Sequence, residues 1–327
     1  MVAAVARTLP GLLVLCLGAV LARGLSTLVG PNELLLAIAL GVVLANGIGV
    51  PDRLRPGLAT HKIWLAAGIV LLGASVTLES ILETGATVLL LLFATVTLTL
   101  LTVEAIARTV GGLPERFGSL LAAGAGICGV SAVVAVGGGI RARETQIAYA
   151  AGTVLLVDAI TLVVYPIVGS VLELSGQVFG VWAGVSMLST GPVVAVGFAH
   201  SETAGQWATM TKLARNTLIG VVAVGYASYY ARRGSGESTS LRLLWSNVPK
   251  FVLGFLALVA LSSARRLAQQ ESLANVVDWL FLLAFVGLGT EIRVADLRRA
   301  GIAPALVVVA AVMIASVVSL AVALVVL

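Results

Sequence analysis

Lys212 and Arg215 are the residues of this chain best placed to do chemistry. They lie three apart in an apolar stretch over 206–231, so a helix there carries both on one face. Two cations inside a membrane-length helix are costly and normally face a cavity or a partner. Their chemistry is that of a small-anion site. The same pair could instead be structural, bound to Asp158, or could stretch its long side chains to an interface. Asp158 sits mid-stretch in Leu155-Leu156-Val157-Asp158-Ala159-Ile160, where a carboxylate is costly unless paired or protonated. It reads either as an ion-pair partner of Lys212 or Arg215, or as a coupling site for Na+ or H+.

Hydroxyls and flexible backbone gather at two further places. Residues 123–137 read A-G-A-G-I-C-G-V-S-A-V-V-A-V-G, and 183–197 read A-G-V-S-M-L-S-T-G-P-V-V-A-V-G. Ala123, Gly124 and the run Val133 to Gly137 recur as Ala183, Gly184 and Val193 to Gly197. Both copies are interrupted in the middle, the first from Gly126 to Ser131 with Cys128 and Gly129 between them, the second at Ser189-Thr190-Gly191-Pro192. Pro192 lacks an N–H and its ring would clash with the Leu188 carbonyl, so a helix cannot run through unaltered. Both stretches therefore read as discontinuous segments, over 118–140 and 178–200. Lipid tolerates an interrupted helix only where the freed backbone faces protein or water. Paired interruptions mark the binding site of many transporters. Backbone N–H groups at the broken-helix tips, with Gly129 and Gly191 among the candidate binding residues, would add donors for an anion. The hydroxyls of Ser131, Ser189 and Thr190 could donate to an oxyanion without a charge cost, or satisfy freed carbonyls.

The elements that hold these residues are membrane spans. Of 327 residues, 59% are hydrophobic and 11% charged, with mean hydropathy +1.10. Soluble proteins carry about 25% charged residues. The fold class is an all-α polytopic membrane protein with about nine to eleven crossings of roughly 20 residues. Spans are expected at 9–29, 32–50, 63–78, 85–107, 146–170, 206–231, 248–263, 275–290 and 301–327, besides the two broken segments. The first is read as a retained span, not a cleaved leader. The polar stretch from Ala231 to Asn247 reads as a flexible connector. A second repeat frames the first: Pro31 to Ala45 resembles Pro249 to Ser263, and Leu72 to Leu78 resembles Leu288 to Val294. Inverted copies are a transporter design. The expected organisation is scaffold spans over 1–110, a transport core over 111–231, and scaffold spans of the second repeat over 232–327.

Arg141 and Arg143 join the more basic side if both broken segments return to their starting face. The positive-inside rule then puts the N-terminus in the cytoplasm of a cell inner (plasma) membrane. The formal charge of +5 comes from short loops and suggests no nucleic acid. Cys16 and Cys128 lie in apolar sequence and imply no disulfide framework. His61 and His200 are too far apart for a metal motif, and no cofactor is expected. Gly124, Gly126 and Gly129 spell G-x-G-x-x-G, but in an apolar hairpin without the strand and acid a dinucleotide needs. Neither H-E-x-x-H nor G-x-S-x-G is present, and no enzyme is expected.

The stretches I-C-G-V-S-A, R-A-R-E-T-Q-I-A-Y-A and V-V-A-V-G-F-A-H-S-E-T-A-G-Q-W-A-T-M-T-K-L-A-R bring in a family. Over nearly its whole length the chain resembles the sulfate exporter family, catalogued as conserved hypothetical membrane proteins. The resemblance implies the superfamily of cation/proton antiporters and bile-acid sodium symporters. It implies inverted repeats, a rigid scaffold and a mobile core with discontinuous helices. Many members carry His-Asp and then Gln in the second broken segment, where this chain has Leu188, Ser189 and Pro192. A proton carrier at that position is missing here. The expected function is secondary active transport of a small anion, sulfate-like, a sulfonate or an organic acid, by alternating access. The alternatives are a Na+- or H+-coupled cation antiporter using Asp158, or an anion channel gated at Pro192 and the glycines. The lipid bilayer is the expected surrounding, and such scaffold spans often form a homodimer.

Overall fold

In the computed structural model, residues 2–29, 32–75, 78–233, 250–265, 271–295 and 301–327 are described. The connector after Arg233 lies outside them, as do Pro31, Val76, Thr77 and Pro249 of the framing repeat. Every regular element among the described residues is helical. In chain order these are α1 (Val2–Val29), α2 (Glu33–Val43, continued by a π turn Leu44–Ile48), α3 (Arg55–Leu58) and α4 (His61–Leu72). Then come α5 (Leu78–Thr109), α6 (Glu115–Ala123, continued by a π turn Gly124–Cys128), α7 (Val130–Gly139) and α8 (Glu144–Val171). The second interrupted stretch holds α9 (Gly176–Ser186) and α10 (Thr190–His200), followed by α11 (Glu202–Asn216) and α12 (Ile219–Arg232). Last are α13 (Lys250–Arg265), α14 (Glu271–Glu291) and α15 (Ile302–Val326).

Helices over Arg7–Leu28, Gly85–Thr109, Glu144–Val171, Leu273–Glu291 and Ile302–Val326 are long and apolar enough to cross a bilayer. Leu13, Leu17, Leu90, Val163, Met313 and Val317 lie exposed on them, as side chains do where lipid is the solvent. The chain is an all-α polytopic membrane protein. Local signals set several ends. Asn32, Ser175 and Ser201 accept from Leu34, Val178 and Ala204 N–H at the starts of α2, α9 and α11.

The single span expected over 206–231 is two helices. α11 begins earlier, at Glu202, and stops at Asn216; α12 starts at Ile219. The break is a tightened turn at Thr217 and Leu218. The Thr217 hydroxyl bonds Ala214 O at 2.7 Å, and the Leu218 N–H turns to Arg215 O at 3.1 Å in place of the i−4 carbonyl.

The chain divides into two compact units. One comprises Met1–Glu83 with Lys250–Val294, the other Thr84–Pro249 with Ala295–Leu327. In the first, α14 packs along α2 with backbone nearly touching backbone. A Cβ on Gly41 would lie 2.2 Å from Val286 O, and one on Gly289 2.2 Å from Ile38 O. Small residues permit such approach, which dispersion rewards where lipid offers no hydrophobic drive. Asn46 ties the π turn to the end of α14, donating to Ile292 O at 2.8 Å and accepting from Val294 N at 2.7 Å.

In the second unit, α5 and α15 pack with the interrupted helices, although the sequence suggested scaffold for both. Ser316 of α15 explains this for its helix. It accepts from Trp182 Nε1 at 3.0 Å through its carbonyl, and its hydroxyl hydrogen-bonds the Tyr165 hydroxyl oxygen at 3.0 Å. Tyr165 also donates to Ser186 at 2.8 Å and stacks on Trp182 at 4.2 Å. Glu104 of α5 accepts from Ser119 of α6 at 2.7 Å and from Arg108 at 2.8 Å.

Candidate functional site

The two interruptions have different chemistry. In the first, α6 widens into the π turn, and Gly129 N–H bonds back to Gly124 O at 2.9 Å. Gly129 has φ 67° and ψ −135°, a conformation that favours glycine, and α7 restarts at Val130. In the second, α9 stops at Ser186. Met187 and Ser189 are extended, and α10 starts at Thr190. Pro192 is the third residue of α10, where its missing N–H leaves no intrahelical bond unmade. The gaps meet: a Cβ built on Gly129 would lie 2.1 Å from Ser189 Oγ. Neither Gly129 nor Ser189 caps its helix with a side chain, so the first N–H groups of α7 and α10 start without one.

The other ends of the breaks are held by α11. It lies close on α9, because a Cβ at Gly180 would sit 2.5 Å from Ala204 O and one at Gly184 2.7 Å from Thr211 Cβ. Lys212 and Arg215 then point into the gap and are 0% exposed. Lys212 Nζ donates to Ile127 O and Met187 O, each at 2.9 Å, and to Leu188 O at 2.5 Å. Arg215 donates from Nε to Gly126 O at 2.7 Å, from Nη1 to Met187 O at 2.6 Å and from Nη2 to Ala125 O at 2.5 Å. These carbonyls are the freed ends of α6 with its π turn and of α9. Cations there complement the negative end of each helix dipole.

This arrangement differs from the direct anion contact expected for the pair. The three ammonium protons of Lys212 and all three guanidinium nitrogens of Arg215 are engaged by backbone oxygens. Nor do the side chains reach an interface. The ion pair with Asp158 is not formed either. Asp158 Oδ1 accepts from Ser189 N–H at 3.0 Å, and Oδ2 is buried without a hydrogen-bond partner.

The structure thus brings Gly129, Ser189, Thr190, Asp158, Lys212 and Arg215 to one place. Gly191 is buried in the first turn of α10 beside them. Ser131 lies in the first turn of α7 and is exposed. Asn216 is the residue the sequence reading passed over. It donates to Thr190 Oγ1 at 3.0 Å, is 2% exposed, and leaves its Oδ1 without a partner. Thr211 Oγ1 is likewise buried and unpartnered. Asn216 follows Lys212 by four and Arg215 by one, so helical spacing from Lys212 would have found it. No cluster of three metal-ligating side chains occurs among the described residues.

Two helix breaks facing each other, with buried cations on their carbonyl ends, define a class: a polytopic membrane protein with a polar crossing inside its helical bundle. The chain belongs to the family described as conserved hypothetical protein 698, whose model matches residues 10–308. A UPF0324 membrane protein of Nitratidesulfovibrio vulgaris is 32% identical over 317 residues, covering 91% of this chain and 88% of that protein. UPF0324 membrane proteins of Vibrio vulnificus and Rhizobium meliloti are each 32% identical, covering 82% and 87% of this chain and 85% and 83% of their own. No solved structure matches the chain.

Proposed function

We propose that this protein is a secondary transporter that carries a small anion by alternating access. The observation that carries the reading is the crossing itself. Two half-helices, α7 and α10, start against each other, and their N-terminal dipoles both favour negative charge there. The backbone N–H groups at Ser131, Thr190 and Gly191 and the hydroxyls of Ser131, Ser189 and Thr190 are the anion's donors, and Gly129 leaves them room. Lys212 and Arg215 act through their field and by holding the breaks open, not by touching the ligand. Such a site suits sulfate, a sulfonate or an organic acid, in keeping with the resemblance to the sulfate exporter family and its superfamily. The unit with the interrupted helices is the transport core, and the unit with α14 is the scaffold and the face that forms a homodimer. The protein resides in the cell inner membrane with its N-terminus in the cytoplasm, and it works without enzymatic chemistry.

Asp158 supports a second reading, a Na+- or H+-coupled cation antiporter, because its buried Oδ2 lacks a donor. A thermal-shift screen of oxyanions on purified protein, followed by counterflow in liposomes, tests the first reading. Stabilisation by an oxyanion and trans-stimulated exchange are expected; a channel would show no trans-stimulation. Cation flux that survives without any anion and disappears in Asp158→Asn would establish the antiporter instead.

A further inference from the structure

We infer that Asp158 is a built-in competitor for the transported anion, so that binding the anion takes up a proton. The inference rests on the anion reading above. It starts from a shared donor. The Ser189 N–H at the start of α10 goes to Asp158 Oδ1, and it is one of the groups an anion at that helix start would use. The carboxylate is therefore an internal anion occupying part of the external anion's place. Its other oxygen, Oδ2, is sealed from solvent with nothing donating to it, in a residue only 3% exposed. An ionised oxygen in that position is costly, whereas a protonated one carries no charge.

The surroundings agree. The charged groups that act on Asp158 come from α11 and are Lys212 and Arg215. Cys128, in the π turn against α8, is the titratable neighbour that senses the same two cations. Of the other elements packed on α8, α10 brings Ser189 here and holds His200 at its far end, stacked on Phe179. α6 has Glu115 and Arg116 at its outer start, while α7 and α15 carry no charged residue. Along α8 itself, Tyr165 lies two turns away, bonded to Ser186 and Ser316. With two helix starts of about +0.5 each and two helix ends of about −0.5 each, the dipoles cancel. Lys212, Arg215 and ionised Asp158 then leave a surplus of about one positive charge, rising to about two when Asp158 is neutral, by the same bookkeeping. Neutralising Asp158 loosens its hold on the Ser189 N–H, because Oδ1 becomes a neutral carbonyl and a weaker acceptor, and it deepens the attraction for an anion. The step balances simply: a proton from the buffered solvent, delivered as hydronium or by the buffer acid, adds to Oδ2, and the Ser189 hydrogen bond passes from Oδ1 to the incoming anion.

Calorimetric titration of sulfate into the full chain in nanodiscs tests this, run across acid to neutral pH in buffers of different ionisation heat. Methanesulfonate serves as a second probe anion. In the wild type, affinity should rise by up to tenfold for each pH unit of acidification over the range where the carboxyl titrates. About one proton should be taken up per anion, the count that linkage to one carboxyl requires. Asp158→Asn should bind the same anion at every pH with no proton uptake. Should that variant fail to fold, Asp158→Ser and the wild-type proton count decide the matter. Binding that is flat with pH in the wild type, or equal proton uptake in the variant, overturns the competition and leaves the anion reading standing. No binding of either anion by either form at any pH overturns both.

Discussion

Ser189 Oγ fills the space that a side chain on Gly129 would need, 2.1 Å from the missing Cβ. The two helix breaks are thus fitted to one another, and the fit is testable by adding one carbon. Gly129→Ala meets both the hydroxyl and a φ of 67°. The backbone strain alone is worth about 1–3 kcal/mol. Thermal unfolding in detergent should show at least that loss. Adding Ser189→Gly should recover the steric part and leave the strain, so the two changes should not be additive. Full additivity would mean that the breaks do not touch.

The places of the breaks were legible because Pro192 cannot sit in a helix interior and the glycines weaken one, and residue types carry both signals. The cost of burying Lys212 and Arg215 was equally legible. Their partners were not, because the carbonyls of Ala125, Gly126, Ile127, Met187 and Leu188 leave no mark in the sequence. Any residue can present a carbonyl, and only the three-dimensional path of the break aims them at α11. The split between α11 and α12 stayed hidden for a related reason. The Thr217 hydroxyl bonds the carbonyl three residues back, as Thr161 does inside the unbroken α8, so the residue type does not mark the tightened turn.

Tyr165 joins α8 to α9 and α15 through a single hydroxyl. Tyr165→Phe keeps the stack on Trp182 and removes both bonds. Ser186 retains its own bond to the Trp182 carbonyl, so the loss is confined to the Tyr165 links. A fall of about 1–3 kcal/mol in stability is expected, the usual net worth of two such bonds. Tryptophan emission should report it, since Trp182 bonds the same Ser316.

Asn46 performs the corresponding join in the other unit. Asn46→Ala leaves Ile292 O and Val294 N–H to find water. Because the residue is exposed, the expected cost is small, about 1 kcal/mol. Hydrogen exchange should rise at the end of α14 and leave α9 to α11 unaffected. Equal loosening at both places would mean that the two units do not unfold separately.

Lys212 and Arg215 give the sharpest separation of structure from transport. Because Lys212 serves Ile127 from one break and Met187 and Leu188 from the other, Lys212→Met uncaps both at once. Each carbonyl left without a donor costs on the order of 1–3 kcal/mol, offset in part by the ammonium that need no longer be desolvated. A net loss of roughly 3 kcal/mol in unfolding free energy follows from those terms. Arg215→Lys keeps the charge but cannot reach Ala125, Gly126 and Met187 together, because an ammonium lacks the flat fork. It should therefore lose stability while retaining part of the anion affinity, since the field survives. If the cations touched the ligand directly, the order would invert: Lys212→Met would unfold no more easily than the wild type and would bind no anion at all. Comparing unfolding and oxyanion affinity in the same two variants distinguishes the cases, because capping and ligation move the two measurements in different proportions.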